Sequence, residues 1–138
     1  MIKKQLLIAT LLLPTSINAL AVEWTSIIKK ADYEILVDID SYNVADGFPY
    51  ILTKTIFKKV QPYSSHKKLV NYQYHLKNTQ FNCKQPMFKV TSIDFYNNIN
   101  KLLISEIPAK EFMPIISGSD EFSVGQLVCQ VYKMVGGR

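Results

Sequence analysis

The stretch SDEFSVGQLVCQVYKMV, residues 119–135, decides the reading of the chain, because it is the one long segment with helical rather than alternating periodicity. Val124, Leu127, Val128, Val131 and Val135 fall on one face of a helix and give it an apolar stripe to bury. Ser119 stands at the N-cap position, with Gly118 before it and Asp120 and Glu121 in the first turn, where exposed backbone N–H groups favour oxygen acceptors and negative charge. Cys129 lies about 100° round from Val128, on the flank of the stripe. Gly125 lowers helix stability by up to ~1 kcal/mol relative to alanine, and it leaves room for a close approach to a sheet. The spacing therefore predicts a C-terminal helix lying on something else.

Working outward, that something is strand. Tyr33, Ile35, Val37 and Ile39 alternate with Glu34, Leu36, Asp38 and Asp40, a period of two residues that only an extended chain turns into one apolar face. Asp38 and Asp40 read as solvated carboxylates at a strand end. Asp46-Gly47 marks a hairpin turn into a second run, Tyr50 to Val60, rich in β-branched residues. Leu69 to Cys83 alternates again, with Val70, Tyr72, Tyr74 and Leu76 opposite Asn71, Gln73, His75 and Lys77. His75 thus belongs to the polar face, and the change of pattern after Asn78 predicts a bulge or bend near Asn78-Thr79. Met87 to Tyr96 and Lys101 to Ile107 form a further pair about an Asn97-Asn98 turn. Pro108 and Pro114 bracket an irregular passage to the helix. The fold class is α+β: an antiparallel meander of about five to six strands with one C-terminal α-helix on one face. Trp24, the only tryptophan, reads as core or rim packing. One helix covers one face, so the other is solvated, shielded by loops or paired with another copy, and Tyr50 to Val60, apolar on both sides, tilts the reading toward a homodimer.

The first residues belong to a different category. Lys3 and Lys4 precede an apolar run from Leu6 to Leu13, Pro14 ends it, and Ala19-Leu20-Ala21 offers an A-x-A cleavage pattern. The expected organisation is a signal peptide over 1–21, cleaved after Ala21, and a single domain over 22–138. That apolar run is far short of the ~20 residues needed to span a bilayer, so no transmembrane segment is expected after cleavage. Cleavage leaves 14 basic against 11 acidic residues, a net charge of +3 rather than +5. This excess is too small for a dedicated nucleic-acid binder.

Export also decides how the two cysteines are read. Beyond a secretory signal the compartments are oxidising, and two sulfurs alone do not fill a tetrahedral metal shell, so a Cys83–Cys129 disulfide is expected. Free thiols and an intermolecular bridge are the alternatives. A bond across this interval contributes about 4 kcal/mol at most.

Enzymatic signatures are missing: there is no G-x-S-x-G, H-E-x-x-H or glycine-rich phosphate loop. No catalytic residue, metal ligand or cofactor is assigned. His66 and His75 lack the spacing and carboxylate neighbours of a metal site. The most basic region of the processed chain gathers Lys54, Lys58, Lys59, Lys67 and Lys68 with Tyr63 and His66. Lysines along an edge blunt it against aggregation. The same residues form a candidate partner-binding surface.

Trp24, the strand ending in Asp38-Ile39-Asp40-Ser41, Phe81-Asn82-Cys83, and Phe112-Met113-Pro114 with Gly118-Ser119 ahead of Leu127-Val128-Cys129 resemble, in order and spacing, the bacterial surface-adhesin protein E family. The resemblance spans the whole processed chain. It implies a small antiparallel sheet with a C-terminal helix held by the disulfide, at the bacterial surface, binding host extracellular-matrix or serum proteins. Phe112 stands where the family pattern has tryptophan, and no cysteine near the cleavage site is available for a lipid anchor. Periplasm and cell surface are both compatible with export, and an accessory protein of the cell envelope is the alternative to an adhesin.

Overall fold

The computed structural model describes residues 21–66, 68–108 and 110–137. All of the expected leader except Ala21 lies outside them. The strands are β1 (Trp24–Lys29), β2 (Tyr33–Ala45), β3 (Phe48–Ser64), β4 (Leu69–Asn82), β5 (Met87–Tyr96), β6 (Leu102–Glu106) and β7 (Met113–Pro114), followed by the helix α1 (Asp120–Met134). Strands β1 to β6 lie side by side in chain order, each antiparallel to the next, and β7 adds to β5 beside Met87 and Phe88. The architecture is the meander with one C-terminal helix that the periodicities predict.

The turns follow from residue chemistry. Asp46 and Gly47 both take positive φ, 54° and 79°, the geometry that a two-residue hairpin needs to match strand twist. Between β5 and β6, Asn100 takes φ 63°, and the Asn97 side-chain oxygen accepts from the Ile99 and Lys101 N–H groups.

Two strands differ from their sequence reading. The second run does not end at Val60, since β3 continues through Gln61 and Pro62 to Ser64 and pairs with β4 as far as Leu69. Proline is tolerated there because the register with β2 ends at Tyr33 opposite Phe57, leaving the β2 side of Pro62 without a strand to donate to. The three or so extra residues fall in the irregularity between Ile56 and Gln61. In β4, His75, Lys77, Thr79 and Phe81 share the helix-covered face, while Tyr74 and Leu76 share the other. His75 is therefore not on an exposed polar face. Its ring lies 5.8 Å from those of Phe57 and Phe95 and 5.9 Å from that of Tyr72. The change of face expected in β4 after Asn78 does not occur there but earlier, between Tyr72 and Tyr74; the irregularity opposite Asn78-Thr79 belongs to β5, where Thr91 is the extra residue and donates its hydroxyl to the Asn78 carbonyl.

The helix packs as its stripe dictates. Val124 and Val128 join Val37, Ile51 and Phe81 in the core, and Leu127, Ile27, Tyr42, Phe88, Ile115 and Cys129 pack round them. Val135, expected on the stripe, is 43% exposed, because the helix ends at Met134 and the chain turns away. Gly125 faces Phe81 so closely that a Cβ there would stand 3.1 Å from two ring carbons. Ser119 caps the first turn by accepting from the Phe122 N–H at 3.2 Å. Two side-chain ties fix that end to the sheet: Asp120 accepts from Tyr33 Oη at 2.6 Å and pairs with Lys30 Nζ at 3.1 Å, and Glu121 pairs with Lys77 at 3.2 Å. The Cys83–Cys129 disulfide is present and clamps the helix flank to the end of β4.

Candidate functional site

The helix covers one face of the sheet, and among the described residues the opposite face is open. Cross-strand partners project to the same side, so the register defines that face row by row. One row runs Ser26, Leu36, Lys54, Leu76, Asp94, and the next runs Glu34, Ile56, Tyr74, Tyr96. Leu36, Leu52, Lys54, Ile56, Tyr74, Leu76 and Tyr96 are each half-buried, and among the described residues no helix or strand packs over them. Their burial comes from one another.

An aromatic ladder orders this face. Tyr74 and Tyr96 stack at 4.9 Å with planes 4° apart. Lys54 Nζ sits 4.4 Å from the Tyr74 ring centroid and 5.7 Å from that of Trp24. Cation–π attraction to two rings holds the ammonium in place, and Lys54 makes no ion pair among the described residues. Partial burial, then Tyr96, raises the Tyr74 pKa, so the hydroxyl stays protonated and donates to Asn100 Oδ1 at 3.0 Å. At the far end of the face, Phe112 packs on Phe48 at 4.8 Å and beneath Lys89 Nζ at 4.9 Å, so the segment before β7 folds over that corner. The aromatic residue of the Phe112-Met113-Pro114 motif is a local cover.

The basic candidates from the sequence are distributed over three places. Lys54 is at the centre of the open face. Lys58 and Lys59 are exposed in the irregular part of β3, where the Lys58 N–H donates to the Asp32 carbonyl at 2.9 Å and brings in the β1–β2 turn. His66 and Lys68 are exposed at the β3–β4 connection, which Ser65 N–H closes on the Lys68 carbonyl at 3.0 Å, and Lys67 lies outside the described residues. Tyr63 belongs to none of these surfaces: its ring stacks on Phe95 at 4.2 Å and its hydroxyl donates to Glu106, whose carboxylate raises its pKa. The sequence reading passes over Leu36, Tyr74 and Tyr96 as a joint surface. The signal for it is alternation that leaves apolar residues on both sides of neighbouring strands.

Among the described residues, no three His, Cys, Asp or Glu side chains gather into a metal-sized group, and no helix is long and apolar enough to cross a membrane. What the arrangement offers is contact area. The class is a small α+β domain in which a disulfide-clamped helix covers one sheet face and, among the described residues, leaves the other open. Residues 24–130 match the Surface-adhesin protein E family, and the chain belongs to that family. Solved structures of Haemophilus influenzae protein E share the fold. One, in crystal form II, is 14% identical with a TM-score of 0.56, and the match covers 80% of this chain and 89% of that one. Another, from a non-typeable strain, is 15% identical with a TM-score of 0.54, covering 88% and 82%. No curated protein matches the chain.

Proposed function

We propose that this protein is an exported, non-enzymatic adhesin of the bacterial cell envelope that binds host extracellular-matrix or serum proteins through the open sheet face. In this reading residues 1–21 direct export and are removed, and 22–138 act as one binding domain. The observation that carries it is the pair of adjacent rows holding Leu36, Lys54 and Leu76 and holding Tyr74 and Tyr96, uncovered among the described residues, in a chain of the surface-adhesin family. Apolar side chains that stay half-exposed beside ordered aromatic rings resemble the centre of a protein interface, where tyrosine and tryptophan contribute most. The lysines at Lys54, Lys58, Lys59 and Lys68 would speed encounter with acidic partners rather than supply the bulk of affinity.

Two measurements test this reading. Protease shaving of whole cells should cleave the protein, and a protein left intact on cells that lose other surface proteins would point instead to a periplasmic accessory role. Binding to immobilised matrix and serum proteins should weaken about tenfold or more in Tyr74→Ala, a truncation at the centre of the proposed contact. Unchanged binding by a variant with an unaltered melting curve would remove the open face from the reading.

A further inference from the structure

We infer that the end of the sheet where the β1–β2 turn meets the irregular part of β3 is a binding site for a sulfated polysaccharide. The inference goes beyond the host-protein reading, since its ligand is not a protein and its site lies at the end of the sheet, meeting the open face only at Glu34 and Ile56. The Lys58 N–H to Asp32 carbonyl bond draws together two lysine pairs, Lys29-Lys30 and Lys58-Lys59, that are far apart in the chain. They border two adjoining clefts. One, of about 120 Å³, is lined by Lys29, Lys30 and Lys58 with Glu34 and Ile56, and the other, of about 480 Å³, by Lys58 and Lys59 with Asp32 and Gln61. Tyr33, Phe57 and Lys58 line both, so the two rings are the apolar surface the clefts share.

Charge bookkeeping selects the ligand. Lys30 is paired with Asp120, whereas Lys29, Lys58 and Lys59 make no ion pair among the described residues and are exposed. Asp32 and Glu34 share the clefts, so the local cationic excess is modest and spread over both clefts. A single small anion reaches only one of them. A linear chain carrying sulfates at intervals meets lysines in both and lays its sugar rings along the Tyr33–Phe57 edge. Single-stranded nucleic acid needs ring faces for base stacking. Here the ring faces are engaged: Tyr33 lies against Phe57 at 5.8 Å and under Lys30 Nζ at 5.4 Å, and Phe57 also meets Tyr72 at 5.6 Å.

The test uses the whole chain, expressed with residues 1–21 and recovered as the cell processes it. Binding to heparin, to chemically desulfated heparin and to a single-stranded DNA oligonucleotide of matched charge is measured at about 0.15 M salt, where exposed charges still act over ~8 Å. Lys29→Gln/Lys58→Gln/Lys59→Gln is compared with Lys101→Gln/Lys110→Gln/Lys133→Gln, which removes equal charge elsewhere. Lys30 is left in place because it anchors the helix. The expected result is heparin binding that desulfation abolishes, weakened about tenfold by the first triple and less than about twofold by the second. Absence of heparin binding overturns the proposal, as does equal loss in the two triples, which would reduce it to net charge. DNA binding as tight as heparin binding, lost in the same triple, would replace the polysaccharide with a nucleic acid.

Discussion

His75 is the residue whose placement has the most measurable consequence. Its ring is enclosed by Phe57, Tyr72 and Phe95, and its Nδ1 is sealed from solvent without a hydrogen-bond partner. Burial, followed by the positive charge of Lys77, lowers its pKa to about 4 from the ordinary 6.5. Between those values the unfolded chain binds a proton that the folded chain resists, so stability falls as pH drops from 6.5 to about 4 and levels off below. The loss is about 3 kcal/mol at most. Urea unfolding at pH 7 and at pH 4.5 should show it, and His75→Phe should remove most of the difference. A second residue, Gly125, is set against the fully buried ring of Phe81. Gly125→Ala gains helix propensity of up to ~1 kcal/mol but overpacks at a cost of about 1–3 kcal/mol. The expected sum is a net loss of about 1 kcal/mol in denaturant unfolding. Gly125 could be read from the sequence as a close approach, because glycine inside an apolar stripe has few other uses. The surroundings of His75 could not. Strict alternation assigns it to the face of Asn71 and Gln73, whereas β4 carries Tyr72 and Tyr74 to opposite sides, with Phe95 and Tyr96 respectively, and no local residue announces the change.

At the scale of elements, the helix is held by three different means: the apolar stripe, the two ion-paired ties at its first turn, and the disulfide near its middle. Replacing both cysteines, Cys83→Ser with Cys129→Ser, should reduce stability by up to about 4 kcal/mol. The same variant in hydrogen exchange should show the helix amides opening before those of β3 and β4, which retain their ladder. Ser119→Ala should cost about 1 kcal/mol, since the Phe122 N–H then loses its acceptor. Both features were legible because caps and cysteine pairs are encoded by single residues. Strand β3 was legible only to Val60. Its continuation through Pro62 depends on where β2 stops, and that is a property of the neighbour rather than of the segment.

For the whole molecule, the fold was readable from order: alternating segments joined by short turns force neighbours to pair, and one amphipathic helix then has a single face to cover. The candidate contact surfaces were less so. The basic run of Lys54 to Lys68 reads as one feature along the chain, yet the structure sends Lys54 to the open face, Lys58 and Lys59 to the β1–β2 end, and Lys68 to a hairpin tip. Strand parity and the β3 irregularity separate them. The order of the elements has one more consequence, in time rather than in space. The sheet is made first and the helix last, but Val124 and Val128 supply the inner wall against which Val37, Ile51 and Phe81 are buried. During synthesis the meander therefore emerges with its apolar face bare and no stable state to occupy. A chain stopped before Ser119 should show no cooperative melting transition and should aggregate or be degraded, while the same chain given residues 119–138 as a separate peptide should recover some protection of β3 amides. Residues 119–135 emerge after the strands they cover and are thus the stretch that licenses folding, and any partner that shields the growing chain must hold it until that stretch arrives.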